Sequence, residues 1–105
     1  MKGRKLVSGE FATEKAVKSK EALLVLVAED ASNNTKKMFT NMCTYYNVPL
    51  YFFGKKEELG KAIGKNLRSS IGFLDSGLAD GIRMQLDIND NGNMLKNTIE
   101  PKKWR

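Results

Sequence analysis

The 105 residues hold 18 Lys and Arg against 12 Asp and Glu, a formal net charge of +6, with 41% apolar and 29% charged residues. That is enough chain for one domain with its own core and too little for two, and the positive surplus points to a polyanionic partner, with plain solubility as the alternative. A lone cysteine, Cys43, and the lack of histidine exclude a disulfide framework, a Cys-based zinc site, Ser-His and Cys-His nucleophile pairs and the commonest general acid/base.

The first element is a short extended piece, Lys5-Leu6-Val7. Gly9 to Lys20 reads as a helix, with Phe11, Ala12, Ala16 and Val17 at helical spacing. Leu23 to Ala28 is an unbroken apolar run ending at Glu29-Asp30, the pattern of a strand buried on both faces. Ser32 or Asn33 can cap a second helix that runs to Tyr46, with an apolar stripe of Met38, Phe39, Met42, Cys43, Tyr45 and Tyr46 and an end at Asn47. Val48-Pro49 leads into a strand, Leu50 to Phe53, closed by Gly54. Lys55 to Gly64 is a short helix burying Leu59, Ala62 and Ile63. Ser70 to Leu74 is another strand, and Gly77 to Leu86 a last helix with Leu78, Ile82 and Leu86 at a spacing of four. Strands alternating with helices predict an α/β sandwich around a partly parallel sheet. Residues 1–86 are the expected domain. Residues 87–105, Asn-rich and ending Pro101-Lys102-Lys103-Trp104-Arg105, are expected to be a flexible polar and basic tail.

Several short matches to chemical motifs fail on spacing or context. Asp87 to Gly92 fits the opening of a calcium loop, but the twelfth position, where a bidentate Glu is needed, is Thr98. Gly60-Lys61-Ala62-Ile63-Gly64-Lys65 is one residue short of a P-loop, lacks the following Ser or Thr, and falls inside a helix where a P-loop precedes one. Glu29-Asp30 and Glu57-Glu58 are acidic pairs without a base or a second carboxylate pair. Asp30 is expected to help cap the helix that follows it, and Glu57 and Glu58 to sit in a first helical turn. No catalytic residue, metal ligand or cofactor is expected, and no enzymatic activity. No run approaches the ~18–20 apolar residues of a membrane span, and no signal-length apolar run follows the charged start, so a cytoplasmic protein without membrane contact is expected.

The basic residues fall into two segments. Lys2, Arg4, Lys5, Lys15, Lys18 and Lys20 surround the first strand and helix; Lys55, Lys56, Lys61, Lys65 and Arg68 surround the third helix and the loop after it. In an α/β layer these segments can meet at one edge as a single patch, or remain two separate solvated faces.

The runs Leu24 to Ala31, Cys43 followed by Asn47-Val48-Pro49, and Glu58-Leu59-Gly60-Lys61-Ala62-Ile63-Gly64-Lys65 resemble the ribosomal-protein family of the large-subunit proteins L-seven-Ae and L-thirty-e, above all its small bacterial ribosome-associated members. The likeness covers about residues 4 to 86 in order and spacing. It implies a three-layer α/β/α sandwich with a central mixed four-stranded sheet. It also implies binding of structured RNA, typically a kink-turn, through the turn after the first strand and the loop before the last. On this sequence those elements supply Gly9, Glu10, Phe11, Lys15 and Lys18, and Lys65, Asn66, Leu67 and Arg68. In kink-turn binders the first element reads Gly, an Asn-Glu pair, then Lys. Gly9 and Lys15 match, Phe11 and Ala12 stand in place of the pair, and Glu10 is one residue out of register. Base-specific hydrogen bonds from those two side chains are therefore not expected. The implied function is binding of structured, kink-turn-like or ribosomal RNA as a ribosomal or ribosome-associated protein, with ribosomal or other ribonucleoprotein proteins as further partners. The alternative is a protein-interaction module on the same fold with no RNA role, for which Phe11 would supply an apolar contact.

Overall fold

A computed structural model of the chain describes residues 5–90. Its elements are β1 (Leu6–Ser8), α1 (Glu10–Lys18), β2 (Leu24–Val27), α2 (Asn33–Tyr46), β3 (Leu50–Phe52), α3 (Lys56–Ala62), β4 (Ser70–Phe73) and α4 (Ser76–Asp90). The strands form one mixed sheet in the order β1-β4-β2-β3. β2 is the inner strand joining a parallel neighbour, β3, to an antiparallel one, β4, and β1 closes the far edge antiparallel to β4. A strand with neighbours on both sides and helices on both faces has no polar position, which is why Leu24 to Val27 is wholly apolar and buried.

The helices complete three layers. Val7 and Gly72 are paired across β1 and β4, and a Cβ at Gly72 would stand 3.3 Å from both Val7 and Thr13, so α1 lies against this face. α2 packs beside α1 over β2 and β3, while α3 and α4 cover the opposite face along β4. Phe39, Met42 and Cys43 bring one side of α2 onto the sheet.

Local chemistry sets the helix ends. The Ser32 hydroxyl accepts the Thr35 N–H at 3.1 Å and opens α2, and Asn47 in the left-handed region (φ 60°) ends it. Ser32→Ala is expected to destabilise the fold by about 1 kcal/mol, read as a thermal midpoint lowered by roughly 4–8 °C. An unchanged midpoint would show that solvent replaces the cap without loss.

The expected helices and strands are all present, with shifted ends. α1 stops at Lys18 rather than Lys20, because Lys20 takes φ 67° to turn the chain toward β2. α3 ends at Ala62, with Gly64 at φ 72° carrying the reversal. β2, β3 and β4 are each trimmed at their ends. α4 continues past Leu86 to Asp90, so the start of the calcium-like Asp87–Gly92 run is helix, not loop, and the helical domain passes the expected boundary at residue 86. The rest of the expected tail, residues 91–105, lies outside the described residues. Three helical positions expected to be buried are exposed, Ala62 of α3 among them. Tyr45, assigned to the buried stripe of α2, is 79% exposed and meets Tyr46 edge to face at 4.8 Å. Phe11, placed on the buried face of α1, is 78% exposed, and Thr13 takes the buried position instead.

Candidate nucleic-acid interface

Strand direction gathers three helix starts at one edge of the sheet. Ser8 at the end of β1 pairs with Ile71, Val27 at the end of β2 pairs with Ser70, and Phe52 at the end of β3 pairs with Val27. The chain therefore leaves β1, β2 and β3 on the same side, and α1, α2 and α3 all begin there. Each presents unpaired N–H groups and the positive end of its dipole.

Two of the three are closed by side chains. Ser32 caps α2. At α3, the Glu58 carboxylate accepts the Lys55 N–H at 2.9 Å and the Asp30 carboxylate accepts the Lys56 N–H at 2.8 Å. Asp30 thus caps α3, and not the helix directly after it as its position in the sequence had indicated. α1 alone has no side-chain cap among these three: its first position is Gly9, at φ 95°, with open space where a Cβ would be. The Gly9 N–H is bound to the Ser70 carbonyl at 2.9 Å, which fixes the turn to β4, and the Thr13 N–H returns to Gly9. The N–H groups of Glu10, Phe11 and Ala12 between them face outward from the helix end.

Arg68 reaches this turn from the other expected element. Its Nε donates to Ser8 Oγ at 3.0 Å and its Nη1 to the Leu67 carbonyl at 2.8 Å. The guanidinium is held across the sheet edge beside the start of α1, with no carboxylate within ion-pair distance among the described residues. The turn after β1 and the loop before β4 therefore meet as one surface at Ser8 and Arg68. Leu67 is 59% exposed on it.

The remaining expected site residues differ in availability. Lys15, Lys65 and Asn66 are exposed. Lys18 is engaged by Glu14 at 2.9 Å, and that hydrogen bond raises its pKa above the ordinary lysine value. The Glu10 carboxylate turns toward α2, where it accepts from Thr35 Oγ1 at 3.5 Å. At the β3 end of the same edge Phe52 and Phe53 are partly exposed, with Lys36 Nζ 6.0 Å from the Phe52 ring centre. Ser8 and Asp30 carry no mark of these roles in the sequence, since each acts through a partner distant in it.

Cys43 is buried, and desolvation pushes its thiol up to about 12, so it stays protonated and inert near neutrality. No group of His, Cys, Asp or Glu could hold a metal among the described residues, and no described helix is long and apolar enough to cross a membrane.

Residues 1–80 match the ribosomal protein L7Ae/L30e/S12e/Gadd45 family. The chain belongs to this family. It is 41% identical over 86 residues to the RNA-binding protein YlxQ of Bacillus subtilis, covering 82% of this chain and 86% of that one. It is 38% identical over 79 residues to the RNA-binding protein YlxQ of Enterococcus faecium, covering 75% and 76%. Among solved structures, a protein of unknown function from Bacillus halodurans superposes with a TM-score of 0.77 at 36% identity, over 80% of this chain and 85% of that chain.

Proposed function

We propose that this protein binds structured RNA of kink-turn or ribosomal type, as a ribosomal or ribosome-associated protein, through the face made by the Gly9 turn and the Lys65–Arg68 loop. The observation that carries this is the contrast in capping. Of the three helix starts at the edge, the one left open is the one beside a positioned, unpaired guanidinium. The names of the bacterial relatives support an RNA partner.

Backbone N–H groups of the first turn of α1 would take a phosphate, Arg68 a second, and Lys15 a third along the helix. Leu67 would pack against an extruded base or a ribose. Because Phe11 and Ala12 cannot donate or accept through their side chains, discrimination would come from the shape of the bent backbone and not from base edges at those positions. The protein would position RNA and do no chemistry on it, working in the cytoplasm.

Binding to a standard kink-turn RNA, beside a straight duplex of equal length, at two salt concentrations is the test. Preference for the kink-turn is expected, with affinity falling on a log–log salt slope of roughly −2 to −3 for about three neutralised phosphates. Equal or absent binding to both would remove the kink-turn assignment. The exposed ring of Phe11 favours a second function, docking of a protein partner; that binding would be insensitive to salt and lost in Phe11→Ser.

A further inference from the structure

A groove of about 490 Å³ lies on the outer side of α3, lined by Glu57, Lys61, Lys65, Asn66 and Leu67. All five lining residues are exposed, so it is an open surface groove and not an enclosed cavity. Its wall is fixed, not incidental. A Cβ on Gly60 would stand 1.5 Å from the Asn66 carbonyl oxygen, so the α3–β4 loop lies directly on the helix backbone. The Lys65 N–H donates to the Gly60 carbonyl at 2.8 Å and the Arg68 N–H to the Lys56 carbonyl at 3.1 Å, pinning the loop on both sides of that contact. The groove is continuous with the face described above through Lys65, Asn66 and Leu67.

The charges in it are unspent. Glu57 and Lys61 are four residues apart on one helix, the spacing at which such residues pair. Among the described residues, however, neither makes an ion pair, and neither does Lys65. The groove thus offers one free carboxylate, two free ammonium groups and the apolar surface of Leu67.

We infer that this groove is a nucleotide subsite selective for guanine, with Glu57 as its specificity-determining residue; the inference rests on the RNA-binding face proposed above. A carboxylate accepts hydrogen bonds and cannot donate them, whereas an ammonium only donates. The base edge that complements one of each is guanine's: N1–H and N2–H donate to the two oxygens of Glu57, and O6 accepts from Lys61. Adenine and cytosine each offer one exocyclic donor beside a ring acceptor that a carboxylate would repel, and uracil's single donor lies between two acceptors. Leu67 covers a face of the base or ribose, and Lys65 meets the phosphate.

The test uses the full isotope-labelled chain titrated with GMP, IMP, AMP, CMP, UMP and inorganic phosphate, followed by amide chemical shifts. GMP is expected to shift the amides of Lys61, Lys65, Asn66 and Leu67 and to saturate at a concentration roughly 5- to 10-fold lower than IMP, which lacks the N2 amino group. AMP, CMP and UMP should be at least as weak as IMP. Glu57→Gln, a change at an exposed position, should bring GMP and IMP to equality with the circular dichroism spectrum of the parent retained. The subsite is overturned if these amides stay unmoved by every nucleotide, or if GMP, IMP and phosphate alone shift them equally. Either result leaves the kink-turn assay free to succeed, so failure here and failure of the RNA-binding face are told apart.

Discussion

Gly60→Ala is expected to destabilise the protein by roughly 2–4 kcal/mol, a large share of the ~5–15 kcal/mol that holds a domain of this kind. The reason is a backbone contact and not a backbone conformation. Gly60 lies within α3, where alanine would ordinarily add up to about 1 kcal/mol of helix stability. A methyl group there would overlap the Asn66 carbonyl oxygen, with its carbon reaching 3.2 Å from the Cα of Leu67. The loop cannot simply move aside, since it is tied to α3 through Lys65 and Arg68 and to β1 through the Arg68 side chain. The sign of the effect is therefore diagnostic: urea unfolding of Gly60→Ala should show a midpoint far below that of the parent, and a raised midpoint would mean that loop and helix are not in contact. Gly9 and Gly64 provide the comparison. Both have open space at the Cβ position but positive φ, so alanine there should cost roughly 1–3 kcal/mol of backbone strain with no steric overlap.

What was legible in the sequence and what was not divide along the distance between interacting residues. β2 was plain because a central strand is apolar at every position, and the start and end of α2 because Ser32 and Asn47 act within one turn of themselves. Phe11 misled because the true buried set of α1 is Thr13, Ala16 and Val17. Thr13 is polar and does not enter an apolar count, yet its methyl group packs at Gly72 while Phe11 points away from the sheet. Asp30 caps a helix start 26 residues later, and Arg68 bonds Ser8 60 residues away. No local pattern encodes either pairing, since both follow from β1, β2 and β3 ending, and β4 beginning, at one edge. The two loops that meet at Ser8 and Arg68 were named by the family resemblance, while the feature that distinguishes the open helix start from the capped ones was not readable. The Gly60 run was readable as a family mark only; that the glycine serves a backbone crossing depends on the path of a loop the sequence does not describe.

Arg68→Ala is expected to weaken RNA binding about tenfold and to lower the salt slope by about one unit. The size follows from preorganisation. A lysine or arginine on an exposed stem loses rotamer freedom when it captures a phosphate, but Arg68 is already oriented by Ser8 Oγ and the Leu67 carbonyl, so less of its binding enthalpy is offset. Lys15, exposed and free of such anchors, should give the same reduction in slope with a smaller loss of affinity when replaced by alanine. Arg68→Lys separates charge from geometry: an ammonium keeps the counterion term but cannot donate to Ser8, Leu67 and a phosphate from one planar group, so the slope should return while most of the affinity does not. Circular dichroism at the assay temperature guards against a trivial cause, since the lost bonds to Ser8 and Leu67 are worth only about 1 kcal/mol of stability. If Arg68→Ala binds kink-turn RNA with unchanged affinity and unchanged slope while folded, the face is wrong. The open start of α1 would then be left with Phe11 at its rim, and a protein partner would become the better account of this edge of the sheet.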